Sequence, residues 1–390
     1  MTEYHPGARL ARALTATGAI QDPAWHRAVL AVPRTLFIPH RVWVSSRDHP
    51  GWYRPVTSDD PDYQRWVDED WALMTQIDDG HPCGEGEWGR LPTSSISQPS
   101  LVVEMLQTLD VTEGMRVLEI GTGTGYNTAL LCERLGDENV VSIEVDPDVA
   151  AQARANLHSL GYKPTLLVSD GTAGAPEQAP FDRVLATVAA HTVPPAWITQ
   201  TRLGGVIVTP WSTWFSSGVL LRLEVDHGAA RGRIVGDAPF MMLRDQRSTF
   251  RPWHEYVDDH DPRAVTGETT TNPRCIADRD DGWRLTVGHL VEGVDFVSYE
   301  AKDDSGEASV YVYDRGRQTG SWALGEYTPA GEVYEAVTCG PRDLWAEIGA
   351  ARRAWEAAGR PGRDRLGLTI TPDGQHSLWV DTPEQVLSGD

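Results

Sequence analysis

The chain has 390 residues, and its 34 lysines and arginines against 56 aspartates and glutamates leave a net charge of −22 spread along its length. That length suits two units of roughly 150 to 250 residues, and the negative field makes nucleic acid a poor partner. Four scattered cysteines without a CxxC pair, an N-terminus without an apolar signal core and the absence of a long apolar run predict a cytoplasmic protein with free thiols, no metal site and no membrane contact.

Residues 7–19 carry helical spacing, and Asp22-Pro23 reads as an N-cap with proline at the first helical position, opening a helix to about Leu30. From about 44 to 93 the pattern dissolves into Trp, Asp, Gly and Pro, which predicts a long, partly irregular excursion of the kind that carries function. Pro99 to Leu109 restores order as a helix with Leu101, Met105 and Leu109 on one face. Buried strands are expected at 115–120, 140–144, 165–168, 183–187 and 205–209, with helices at 127–135, 147–160 and 195–201 between them. Short apolar strands alternating with helices predict an α/β, doubly wound, Rossmann-like parallel sheet. Segments 219–225 and 232–235 flank an Asp-His-Gly turn and read as an antiparallel hairpin at the sheet edge. Beyond about residue 250, strands are expected at 283–291, 294–299 and 308–313. One helix over 341–358 places Leu344, Ile348, Ala351 and Trp355 on a face. The expected organisation is a domain over 1–250 and a smaller α+β accessory domain over 251–390.

The stretch LEIGTGTGY, residues 118–126, leads from a strand into a helix, and its glycines allow a ligand to approach bare backbone. The spacing is G-x-G-x-G, with Tyr126 where the dinucleotide fingerprint wants a third small residue, and no G-K-[ST] follows for a phosphate loop. Acidic residues narrow the ligand further. Glu119 precedes the loop, Glu144 ends the next strand where a carboxylate takes ribose hydroxyls, and Asp170-Gly171 follows the third strand, where an adenine amino group could be received. Three acidic positions without a cation for a pyrophosphate describe a positively charged nucleoside, and S-adenosylmethionine fits that description. Glu119, Gly121, Thr122, Gly123, Gly125, Tyr126, Glu144, Asp170 and Gly171 form the candidate cofactor set.

The phrases MRVLEIGTGTGYNTALL, VVSIEVDPDVAAQARANLHSLGY, LLVSDGTAGAPEQAPFDRVLATVAA and VPPAWITQTRLGGVIVTP, with AVPRTLFIP and SISQP upstream, resemble those of protein-L-isoaspartate O-methyltransferases in the same order. The resemblance covers about residues 8 to 245. It implies a class I methyltransferase domain, S-adenosylmethionine as methyl donor and a carboxylate of a peptide or protein as acceptor. Such an acceptor, with a pKa of about 3.9, is already ionised at neutral pH and needs orientation more than a base. The family's acceptor phrase, Gln-Thr-Ile-Ser, stands here as Ser94-Ser95-Ile96-Ser97. The resemblance thus implies that Ser97 lies between acceptor and methyl donor, that Ser95 keeps a hydroxyl and that Ser94 has lost an amide. After the fourth strand, Ala189-Ala190-His191 replaces a common Ala-Ala-Pro phrase, which makes His191 a candidate substrate contact.

Two regions depart from the family: the long excursion and everything after about residue 250. Endings such as GPRDLWAEI and GRDRLGLTITPDGQHSLWVD resemble extended relatives associated with ribosomally made, modified peptides. That resemblance implies methylation of an ordinary Asp side chain. The next backbone nitrogen then displaces methanol to leave a succinimide, whose hydrolysis gives isoaspartate or aspartate. Two readings stand beside it: repair methylation of isoaspartyl residues in damaged proteins, and a peptide-binding scaffold with a vestigial site.

Overall fold

The computed structural model describes residues 7–61, 63–216, 218–248 and 251–389. The chain divides into two compact units that exchange segments between residues 211 and 245 rather than parting at a single point. One holds 1–210, 222–230 and 240–245, and the other holds 211–221, 231–239 and 246–390.

The first unit begins with α1 (Ala8–Ala16) and α2 (Pro23–Ala31). Asp22 caps α2 by accepting from the Ala24 amide at 2.7 Å, and Pro23 needs no partner at the first helical position. Then come β1 (Arg41–Ser45), β2 (Tyr53–Thr57), α3 (Tyr63–Asp68), β3 (Leu73–Ile77) and β4 (Pro92–Ile96). The excursion expected to be partly irregular is built on a four-stranded antiparallel sheet in the order β2-β1-β3-β4. Each strand spans only five residues, and the loops between them carry the Gly and Asp that hid them. Val42 and Val44 alternate with exposed or half-buried neighbours in β1, and Pro55 sits in edge strand β2, where a missing amide N–H is tolerated.

After α4 (Pro99–Leu109) the chain alternates between β5 (Val117–Ile120), α5 (Tyr126–Leu135), β6 (Val140–Glu144), α6 (Pro147–Ser159), β7 (Thr165–Val168), β8 (Phe181–Ala186), α7 (Pro195–Thr199) and β9 (Thr201–Trp211). Strands run in the order β9-β8-β5-β6-β7 and all these neighbours are parallel. β5 is buried at every position, as a strand covered on both faces must be. The register pairs Ile120 with Ile143 and Ala186, and Glu144 with Val168, so the loops that follow β5, β6, β7 and β8 gather along one edge. In such sheets that edge receives the ligand. The strands β10 (Val219–Asp226) and β11 (Ala229–Asp237) are joined through His227 and Gly228, both at positive φ.

The second unit contains β12 (Val265–Thr269), α8 (Asp281–Leu290), β13 (Val294–Glu300), β14 (Ala308–Asp314), β15 (Trp322–Tyr327), β16 (Tyr334–Cys339), α9 (Leu344–Ala357), β17 (Leu366–Ile370) and β18 (His376–Val380). The segment 283–291, expected as a strand, lies in α8 up to Leu290, with Val291 as its C-cap. Trp283, Leu285, Val287 and Val291 suit a two-residue period, but Asp280 accepts from the Trp283 amide at 3.0 Å and starts a helix there. An antiparallel sheet, β12-β16-β15-β14-β13, contributes Val310, Val312, Ala323 and Ala336 to a core shared with Trp283 and Val287 of α8 and Trp345, Ile348 and Trp355 of α9. No helix among the described residues is long and apolar enough to cross a membrane.

Candidate functional site

The glycine loop leaves β5 at Ile120 and enters α5 at Tyr126. Gly121, Gly123 and Gly125 take φ of +96°, +56° and +88°, a region costly for any residue with a Cβ. Space is equally tight. A Cβ on Gly121 would stand 2.8 Å from Thr187 Oγ1, and one on Gly123 would stand 3.3 Å from the Ser95 carbonyl oxygen. The turn is pinned from β6, whose Ile143 carbonyl accepts from the amides of Gly121 at 2.9 Å and Thr122 at 3.0 Å. Thr122 is buried, and its hydroxyl meets Ser142 Oγ at 2.6 Å.

The acidic positions divide into two kinds. Glu119 is fully buried, with Asn127 Nδ2 donating to one oxygen at 2.6 Å and the Thr128 and Ser142 hydroxyls donating to the other at 2.5 and 2.6 Å. Its carboxyl therefore ties the end of β5 to the first turn of α5 and to β6, and burial raises its pKa. Tyr126 is buried too, edge-on to Phe37 at 5.6 Å. Glu144, by contrast, stands at the loop itself. Its oxygens accept from the Gly123 amide at 2.9 Å and the Asp146 amide at 3.1 Å, which leaves lone pairs for a ligand hydroxyl. Burial raises Glu144 as well, against those two donors. Asp170 is exposed at the next strand end and caps a short turn through the Thr172 amide at 2.8 Å. Gly171 behind it is buried where a Cβ would come within 2.5 Å of Ile120 Cγ2, and its carbonyl accepts from Trp197 Nε1 at 2.8 Å.

The acceptor phrase lies on β4 and the residues that follow it. Strand alternation turns Ser94 and Ile96 inward, with Thr75 Oγ1 donating to Ser94 Oγ at 3.2 Å, and turns Ser95 to the other face. Ser95 and Ser97 are half-buried, and neither hydroxyl is engaged by another group of the described chain. Ala189 and Ala190 are buried beside β8, Ala189 exchanging hydrogen bonds with Met241 and Leu243, and His191 is half-buried at the end of that loop.

Several residues of the site carry no conspicuous sequence signal. Asp146 caps α6 through the amides of Asp148 and Val149 at 3.0 and 3.2 Å, while its other oxygen accepts from Gln76 Nε2 at 3.1 Å and Arg244 Nη2 at 3.2 Å. Burial alone would raise its pKa, but these donors outweigh burial and lower it. Arg244 also pairs with Asp79 at 3.2 Å, so the cation near the predicted cofactor residues is already balanced by two carboxylates. Only the Asp-Pro cap pattern at 146–147 hinted at Asp146, and nothing local hinted at Arg244. A cavity of about 310 Å³ opens beside the loop, with Phe37, Ile38 and Pro39 on one side and Gln76, Gly123, Val149 and Gln152 on others. It shares only Gly123 with the predicted cofactor set, so it adjoins the strand-end edge rather than coinciding with it. Among the described residues no group of three or more His, Cys, Asp or Glu side chains is placed to hold a metal ion.

Comparison with known proteins bears on this arrangement. The family model described as protein-L-isoaspartate(D-aspartate) O-methyltransferase matches residues 64–247. Protein-L-isoaspartate O-methyltransferase 1 of Anaeromyxobacter sp. is 41% identical over 232 residues, which is 58% of this chain and 89% of that protein. The enzyme of the same name from Hyperthermus butylicus is 31% identical over 261 residues, 64% of this chain and 92% of its own. A solved structure titled protein-L-isoaspartate O-methyltransferase superposes with a TM-score of 0.55 at 20% identity, covering 96% of this chain and all of that one, and so shares its fold. By its identity to these relatives over most of their length, this chain belongs to the protein-L-isoaspartate O-methyltransferase family.

Proposed function

We propose that the protein transfers a methyl group from S-adenosylmethionine to the free carboxylate of an isoaspartyl residue in a peptide or protein. The observation that carries this reading is the approach of β4 to the glycine loop, where a Cβ on Gly123 would stand 3.3 Å from the Ser95 carbonyl oxygen. It sets the acceptor serines against the cofactor loop. The bare, positive-φ backbone at Gly121 and Gly123 and the Glu144 carboxylate fit an adenosyl group, with Glu144 for ribose hydroxyls and Asp170 for the adenine amine. S-adenosylmethionine supplies, when bound, an electrophilic methyl whose bond to sulfur breaks as a carboxylate oxygen bonds to it.

What the chain adds is placement. The hydroxyls of Ser95 and Ser97 donate to the acceptor carboxylate, hold one oxygen in line and replace the water it loses. No proton has to move, because the acceptor is already ionised. Glu119, with its oxygens held by three side chains, shapes the loop from behind, and its role is positioning.

The comparisons favour isoaspartyl methylation, the repair-type reaction, over the peptide-modification reading that the sequence first suggests. Methylation of an ordinary Asp in a dedicated peptide remains the second reading. It rests on the family model ending at residue 247, but the later residues do not by themselves set the chain apart, because the solved structure titled protein-L-isoaspartate O-methyltransferase covers 96% of this chain, against the expectation that everything after about residue 250 departs from the family. The test is mass spectrometry of two matched peptides, one with Asp and one with isoAsp at the same place, incubated with S-adenosylmethionine and the full chain. Methylation of the isoAsp peptide alone supports the proposal. A methylated or dehydrated Asp peptide with the isoAsp peptide untouched overturns it in favour of the second reading. Ser97→Ala should lower turnover while leaving cofactor affinity in place, and unchanged turnover would remove Ser97 from the mechanism.

A further inference from the structure

Arg34 is a buried cation with no direct carboxylate partner among the described side chains, an arrangement that needs an explanation because an unpaired buried charge is costly. Its guanidinium donates instead to three main-chain carbonyls. Nη1 reaches Val67 at 3.2 Å, and Nη2 reaches Trp71 at 2.8 Å and Ser97 at 3.3 Å. Burial lowers its pKa to about 10, offset in part by Tyr126 and Asp70, so it stays charged at neutral pH. One nitrogen thus joins the turn after α3 to the backbone of the acceptor serine.

A second tie runs parallel to it. Helix α4, which starts two residues after Ser97, has no side-chain cap of its own at Gln98. Asp70 supplies one from thirty residues upstream: its Oδ1 accepts from the Ser100 amide at 2.8 Å and its Oδ2 from Gln98 Nε2 at 3.1 Å. The residue between these two anchors, Trp71, is 53% exposed although it is held by its backbone. Its indole is not loose, because Nε1 donates to Glu69 at 2.7 Å and Trp66 packs edge-on at 6.1 Å. A fixed, exposed indole has the properties of a contact surface: large apolar area with little conformational freedom left to lose.

We propose that the turn Val67–Trp71 is part of the acceptor site, locked to Ser97 by Arg34 and Asp70, with Trp71 taking an apolar side chain of the peptide that flanks the methyl-accepting residue. Arg34 is then a positioning residue, acting through Ser97. This rests on the reading of Ser97 as an acceptor-side residue given above. The exposed apolar face of the indole argues for an apolar occupant, and two of the acids beside it are already engaged, Glu69 by Arg65 at 3.1 Å and by the indole, and Asp70 by Gln98 and Ser100.

The experiment uses the full chain and two isoAsp peptides that differ only in Leu or Ala beside the isoAsp, with S-adenosylhomocysteine affinity and melting temperature measured on each variant. Trp71→Ala should raise KM for the Leu peptide by roughly tenfold, towards that of the Ala peptide, with the change falling on KM rather than kcat. Arg34→Lys keeps the charge but cannot span three carbonyls. It should lower kcat by on the order of tenfold to a hundredfold on both peptides while cofactor affinity holds. If KM for the Leu peptide is unchanged in Trp71→Ala, the turn is not part of the acceptor site. If Arg34→Lys loses cofactor affinity and stability together, Arg34 is a structural cation only and the positioning role falls. Wild-type chain that methylates neither isoAsp peptide overturns the underlying reading, whereas wild-type transfer with unaltered variants overturns the turn's role alone.

Discussion

Replacing Gly121 by alanine isolates what the glycine loop contributes. At φ +96° a Cβ costs about 1 to 2 kcal/mol in backbone strain. The new methyl would also stand 2.8 Å from Thr187 Oγ1 and 3.0 Å from Val188 Cγ1. Thr187 cannot yield freely, because its hydroxyl donates to the carbonyl of Gly121 at 2.5 Å and lies 3.2 Å from that of Ile120. Displacing it costs about one hydrogen bond, roughly 1 kcal/mol. If the loop relaxes by leaving its ligand-ready form, about 2 to 3 kcal/mol appears as a loss of roughly 30- to 150-fold in affinity. Titration calorimetry with S-adenosylhomocysteine reads this directly. Gly161→Ala is the control, since Gly161 has φ +90° with nothing within 4 Å of its Cβ direction. It should lower the melting temperature and leave affinity alone. Affinity of Gly121→Ala within twofold of wild type would refute the argument that this backbone is shaped for the cofactor.

Glu119→Gln tests the buried carboxyl. Because burial raises its folded pKa above the usual 4.5, its stabilising contribution is fully present below that pH and is lost as pH rises through the folded value. The glutamine variant should therefore show a flatter dependence of unfolding free energy on pH than wild type as the pH rises above the usual carboxylate range, and an unchanged slope would sink that assignment. Trp355→Ala removes a side chain 3% exposed that lies against Trp283 at 5.8 Å and donates to the Pro361 carbonyl at 3.0 Å. Chemical denaturation should report a loss of about 3 to 5 kcal/mol in the second unit, and a loss below about 1 kcal/mol would mean that this helix face is not core.

The parallel sheet was legible because its central strands β5, β6 and β8 are almost wholly buried and alternate with helices, two of them opened by a proline at the first helical position and one, at Asp146-Pro147, capped as well. Local chemistry and fold agree there. The four-stranded sheet within 41–96 was not legible, since five-residue strands with one buried face offer only two or three alternating positions and Pro55 masks one of them. Residues 283–291 failed for the opposite reason: their apolar spacing satisfied both periods, and only the cap at Asp280 separated them. In the site, the glycines announced themselves because positive φ leaves no other residue at ease. Arg34 and Arg244 did not, because a guanidinium that binds carbonyls or carboxylates far along the chain looks in sequence like any surface arginine. Glu119 was visible as an acid beside the loop, but the direction its carboxyl faces depends on Asn127, Thr128 and Ser142 together.

The exchange of segments between the two units sets a limit on dissection. Phe240–Asp245 belongs to the first unit and delivers Arg244 to Asp79 and Asp146 and the Leu243 amide to Ala189, yet it is reached only through 231–239, which belongs to the second. A truncation that removes the later residues keeps 211–221 and 231–239 without the rest of their unit, and one that stops earlier loses Arg244. On the ribosome the same order means that the first unit receives its last strap only after two pieces of its neighbour have been made. What the C-terminal residues contribute is therefore a question for single substitutions in the intact chain, and deletion would answer a different one.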